Sequence, residues 1–246
     1  MNKISQYIFS TVLGLVVFFF WIILHPYDLS FQEQNQLFLF TWDYSLERIS
    51  VCGGLADYIA EFITQFNYIP YLGKALMALL FVIFQIVTAA SICRKEWYVL
   101  SFITPVMMLV YMNDIYVMLC YLIALIIAVS MCALYRRYPG LLWAVIATVL
   151  GYWLIGPAIF IFTLFTVLRE RNWNSLILVA VAVLTLVVSK WTYLQQYPWK
   201  TLAFGVNYYR HALVVPPMQL VIAAMTFIIP VLSDLLPKPK TFVNVA

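Results

Sequence analysis

Long apolar blocks alternate with short charged punctuation along this chain. The blocks cover 4–24, 72–93, 97–112, 115–135, 141–155, 157–168, 175–189 and 217–232. Runs of about 20 apolar residues match the hydrocarbon core of a bilayer. The pattern predicts an all-α fold, a polytopic bundle of transmembrane helices. Basic clusters fall between the blocks: Arg94-Lys95, Arg136-Arg137, Arg169 with Arg171, and Lys238 with Lys240. Loops rich in Lys and Arg stay cytoplasmic. Eight crossings with both termini cytoplasmic place all four clusters and Lys3 inside. Arg48, Lys74, Lys190, Lys200 and Arg210 then lie outside. Read as one span, 141–168 would be about 42 Å long, more than a bilayer core accommodates. Gly151, Gly156 and Pro157 offer a break, so two short helices meeting near the outer surface are expected. The single-span alternative gives seven crossings.

The segment 25–72 breaks this pattern. Leu55, Ile59, Phe62, Ile63 and Phe66 follow steps of three and four and predict one helical face, with Asp57, Glu61 and Gln65 on the other. Such a helix is expected to lie in the membrane interface, apolar side down and acids solvated. Gly53-Gly54 separates it from a shorter helix over 44–49, for which Asp43 is the expected N-cap. A second outer loop, 191–215, carries YPWKTLAFGVNYYRH, whose aromatic residues suit the headgroup layer. The chain is thus expected to form one transmembrane domain over 1–235. Residues 236–246 read as a tail, or as the start of a linker to a C-terminal domain.

Composition narrows the class. Of 246 residues, 65% are hydrophobic and 10% charged, whereas a soluble domain carries roughly a quarter charged residues. The N-terminal apolar run is too long for a signal peptide and no small-x-small site follows it, so it reads as an uncleaved first span. The four cysteines offer neither a disulfide framework nor metal-ligand spacing. The net charge of +4 calls for no nucleic acid, because most cations flank spans. Walker, GxGxxG, HExxH and GxSxG motifs are all missing. Nor do the spans carry interior charges, apart from Lys74 and Lys190 near their ends, which argues against ion-coupled transport.

What stands out is the distribution of acids. Asp28, Glu33, Asp43, Glu47, Asp57 and Glu61, six of the ten, fall just outside the first span. Asp57 and Glu61 read best as a solvated face. Asp28 and Glu33 are held at the membrane surface by the span before them. A carboxylate so placed can act as general base or metal ligand for a lipid-borne substrate. Asp114, in a tight turn after 97–112, reads either as a turn residue or as a ligand converging with Asp28 or Glu33 on Mg²⁺ or Mn²⁺. Arg210, with His211, Tyr208 and Tyr209, reads as a phosphate site or as a cation beside an aromatic belt. His25 reads as a cap on the first span.

One span, a long acidic outer loop with interfacial helices and then many spans resemble the GT-C superfamily of membrane glycosyltransferases. The resemblance implies a catalytic carboxylate among Asp28, Glu33 and Asp43, and a divalent metal held in part by Asp114. It also implies a lipid-phosphate site at Arg210, His211 and Tyr209. The expected activity is transfer of a sugar from a polyprenyl-phosphate carrier to an acceptor on the outer face of a bacterial inner membrane. The opposing reading is a non-catalytic membrane component that binds a lipid or a protein partner through its interfacial helices. The segment QEQNQLFLFTWDYSLERISVCGGLADYIAEFITQF is also similar to that of an uncharacterised family of polytopic membrane proteins from Bacteroides relatives.

Overall fold

A computed structural model describes residues 3–170, 173–205 and 215–235. Apolar blocks become helices because a bilayer offers no partner for an open backbone N–H or C=O. The long helices are α1 (Lys3–Ile23), α5 (Leu72–Ser91), α7 (Leu119–Arg137), α10 (Trp173–Thr192) and α12 (Pro217–Leu235). Between α1 and α5 lie three short helices: α2 (Asp28–Asn35), α3 (Trp42–Ile49) and α4 (Gly54–Thr64). A 3₁₀ turn, Gln65–Tyr68, completes that loop. The block before α7 is split into a 3₁₀ stretch, Lys95–Phe102, and α6 (Ile103–Tyr111). Pro105 in the first turn of α6 explains the split, since its ring excludes an α-helical turn before it. Among the described residues no strand occurs, and six helices are long and apolar enough to cross a membrane, counting Leu141–Glu170 as one; Glu96–Tyr111 is a shorter apolar helix. The protein is a membrane protein.

Leu141–Glu170 is not straight. It divides into α8 (Leu141–Ile155), a 3₁₀ turn at Gly156–Ala158 and α9 (Ile159–Glu170). Gly156 has φ 70° and ψ −156°, a conformation that only glycine adopts readily. The chain then doubles back. Thr148 Oγ1 lies 3.0 Å from Thr163 Oγ1, and the Trp143 ring stacks on Phe162 at 5.4 Å. A Cβ on Gly151 would lie 2.5 Å from Ile159 Cγ1. The expected pair of short helices is present as a hairpin.

Helix α7 stands at the centre, with Leu122, Leu125, Ala128, Val129 and Cys132 fully buried. Around it pack α4, α5 and α9, while α10 lies at the edge against α8 and α9. Polar links identify the two ends of the bundle. At the N-terminal face, Tyr98 donates to Gln6 O (3.1 Å), Cys93 N to Ser233 Oγ (3.2 Å) and Arg136 to Asp234 (2.8 Å). At the opposite face, Tyr121 donates to Gln219 O at 2.9 Å and Gly53 N to Trp153 O at 2.7 Å. The tip of the hairpin, the turn after α6 and the α1–α5 loop therefore share this second end, the loop face. Inside the bundle, the hydroxyls of Thr88, Thr148 and Thr226 each donate to the carbonyl four residues back in their own helix, which offsets the cost of burying them.

Candidate functional site

The first acid after the membrane is Asp28, which opens α2. Its Oδ2 lies 2.5 Å from His25 Nδ1. The imidazole rests against Phe20 and Trp21, with ring centroids at 4.9 and 5.9 Å. Both members of the pair keep about a fifth to a quarter of their side chains exposed, 20% and 24%. His25 thus orients a carboxylate, a role beyond capping a helix end. The opposite side of α2 is anchored. Leu29 and Gln32 are buried, and Gln32 Nε2 donates to Val117 O at 3.1 Å and Ile115 O at 3.4 Å. Asn67 Nδ2 donates to Leu29 O at 3.2 Å.

These bonds carry α2 to the turn that holds Asp114. Phe31 packs edge-on against Tyr116 at 6.4 Å, so the first loop and the second turn do meet. Asp114 itself is exposed, and its Oδ1 accepts from Tyr116 N at 3.0 Å, as a turn-forming aspartate does. Glu33 is half-buried on α2, and Asp43 is exposed on α3. The helix over 44–49 starts earlier than expected, and its N-cap is Thr41, whose hydroxyl accepts from Tyr44 N at 3.3 Å. Asp43 sits inside the first turn instead. Among the described residues no three His, Cys, Asp or Glu side chains gather as metal ligands. Tyr209, Arg210 and His211 lie outside the described residues.

Helix α4 reverses the expected orientation. Asp57 and Glu61 are buried, at 5% and 0% exposure, while Phe62 is partly exposed. The cause is Arg48 on α3. Its Nε lies 3.0 Å from Glu61 Oε2, and its guanidinium sits 4.8 Å over the Tyr44 ring. The Tyr44 hydroxyl donates to the same Glu61 oxygen and is shared with Leu37 O at 3.0 Å. Burial and the Glu61 carboxylate push the Tyr44 phenol up to about 12. Burial disfavours the Arg48 charge, but Tyr44, Glu61 and Asp57 outweigh it and raise its pKa. The one cation between His25 and Leu72 was the sequence signal for this cluster. Nearby, Cys52 donates to Tyr152 O at 3.0 Å, and burial pushes its thiol up, which makes it unreactive.

A cavity of about 400 Å³ opens beside the hairpin tip. Tyr121, Phe160, Leu164, Phe204 and Phe227 form its apolar wall, with Lys200 the one charged lining residue among the described residues. Lys200 stands on α11 (Trp199–Phe204), which is held from below by the Tyr152 hydroxyl donating to Leu202 O at 3.0 Å. Gln219 Nε2 donates to Phe204 O at 2.5 Å. Other described loop-face cations have partners: Arg48 has Glu61, Lys74 the Tyr71 ring, and Lys190 the carbonyls of Gln195 and Tyr197. Lys200 makes no ion pair or hydrogen bond among the described residues. Sequence reasoning counted Lys200 only as an outer cation, because the wall beside it exists only once the hairpin has folded back. No curated protein and no solved structure matches this chain. A family model does match, over residues 1–245, and its description is a family of unknown function, DUF6057; the chain belongs to that family.

Proposed function

We propose that the protein handles a lipid-linked phosphate substrate at its loop face and transfers the sugar that the lipid carries. The observation that carries this reading is the His25–Asp28 pair, partly exposed and fixed at the end of a rigid span. An acceptor hydroxyl within reach of Asp28 gives its proton to the carboxylate as its oxygen forms a bond to the anomeric carbon. The bond from that carbon to the phosphate oxygen breaks, and the lipid phosphate leaves with the electron pair. His25 holds the carboxylate in position. Lys200 meets the departing phosphate, and the apolar wall below it takes the first part of the isoprenoid chain. A general base of this kind contributes about 10²–10⁴-fold.

The test uses membranes that hold the full chain and a radiolabelled polyprenyl-phosphate sugar. Asp28→Asn is expected to lower transfer by at least about 10²-fold at equal protein level, while Lys200→Gln chiefly raises the donor KM. Unchanged transfer in Asp28→Asn overturns the assignment. The second reading, a non-catalytic component docking a partner, draws on the exposed stretch Leu37, Leu39, Phe40 and Trp42. It predicts that Phe40→Ser and Trp42→Ser abolish function while Asp28→Asn does not.

A further inference from the structure

The opposite, N-terminal face carries a second cleft that the transfer chemistry does not use. It has a volume of about 410 Å³ and lies where α9 and α12 end. Phe165, Leu168 and Arg169 line it from α9, Val231, Asp234 and Leu235 from α12, and Arg136 from α7, with Cys93 beside them. Arg136 is fixed from several sides. Its Nη1 and Nη2 donate to the two oxygens of Asp234 at 2.8 and 2.9 Å, and Nη2 also donates to Pro230 O at 3.0 Å. Its Cζ sits 5.0 Å over the Phe165 ring. That arrangement uses both oxygens of Asp234, the one carboxylate lining the cleft among the described residues.

Arg169 differs from Arg136 in having no counter-charge among the described residues. It is exposed at the rim and makes no ion pair among the described residues. Its neighbour Glu170 is engaged elsewhere, accepting from the Tyr135 hydroxyl at 2.6 Å. Among the described residues, the charges that line the cleft are Arg136, Arg169 and Asp234, an excess of one positive charge beside an apolar wall. A free anion has no use for that wall, and a neutral lipid has no use for the charge. Arginine suits the oxygens of a phosphodiester, and the cleft opens where α9 and the membrane-length helix α12 end, at the depth of the headgroups. We infer that this cleft binds an anionic phospholipid. The phosphate rests on Arg169, and one acyl chain runs along Phe165, Leu168, Val231 and Leu235. The site needs no assumption about sugar transfer.

The test titrates the purified full chain in micelles with dioleoyl phosphatidylglycerol or dioleoyl phosphatidylcholine, with bound lipid counted by native mass spectrometry. A cation near the surface is worth about fivefold in affinity for an anionic lipid. Wild type is expected to prefer phosphatidylglycerol by at least that factor. Arg169→Gln should remove most of the preference, and Lys200→Gln should leave most of it. Leu168→Trp, which fills the cleft while keeping the charge, should weaken phosphatidylglycerol binding as well. Equal binding of the two lipids by wild type, or a preference that survives Arg169→Gln, overturns the inference. Loss of preference in Lys200→Gln alone also overturns it, since that moves the lipid to the other face.

Discussion

Helices α2 and α4 come from the same acidic loop and treat their carboxylates in opposite ways. α4 turns Asp57 and Glu61 inward, where Arg48 and Tyr44 meet Glu61 and water is excluded. α2 turns Leu29 and Gln32 inward and leaves Asp28 partly exposed, with His25 as its only ionisable partner among the described residues. A buried, paired carboxylate is committed to structure: moving its proton or its partner unbalances a charge that water cannot reach. A partly exposed one can exchange protons with a substrate. Proximity to the membrane is common to both, so what separates them is the partner each one has.

Substitutions can break this comparison or sharpen it, in decreasing order of expected cost to stability. Glu61→Ala leaves Arg48 buried without its main counter-charge, and breaking a buried pair costs about 3–5 kcal/mol. Unfolding in mixed micelles should show that loss; a change under about 1 kcal/mol, the range of exposed pairs, would mean that α4's acids are as open as α2's. Gln32→Leu removes the bonds to Val117 O and Ile115 O and is expected to cost about 1–3 kcal/mol, since buried carbonyls lose their donor. Faster hydrogen exchange over 113–118 would locate that effect. Asp28→Asn should cost no more than about 1 kcal/mol, as a partly exposed pair does, yet produce the largest loss of transfer. Asp43→Ala, on an exposed face with Thr41 as the cap, should stay within about 0.5 kcal/mol.

The all-helical, membrane-spanning character was legible because long continuous apolar runs admit one reading in a bilayer, whereas the expected span over 97–112 is a 3₁₀ stretch and the short α6. Gly156-Pro157 marked the hairpin, since that pair cannot continue a helix. The meeting of the first loop with the Asp114 turn was expected from their shared side, although Gln32, which makes the contact, gave no signal of its own. The facing of α4 was misread for a definable reason. Periodicity shows that two faces exist, but the inner one is chosen by what lies opposite, and here that is Arg48, outside the helix's own window. The His25–Asp28 contact spans only three residues, yet it depends on how α2 leaves α1. The Lys200 cavity depends on α9, α11 and α12 together, a combination no local pattern encodes.

The hairpin has one more consequence. Helices α8 and α9 hold 15 and 12 residues, about 22 and 18 Å at 1.5 Å per residue, against an average hydrocarbon thickness of about 30 Å. Lipid that touches this side of the protein must compress, or polar groups must dip to meet it. Membrane thickness therefore becomes a variable for this protein: short-chain bilayers should hold the hairpin relaxed, and thick, sterol-like ones should press on Gly156 and on everything that leans against it.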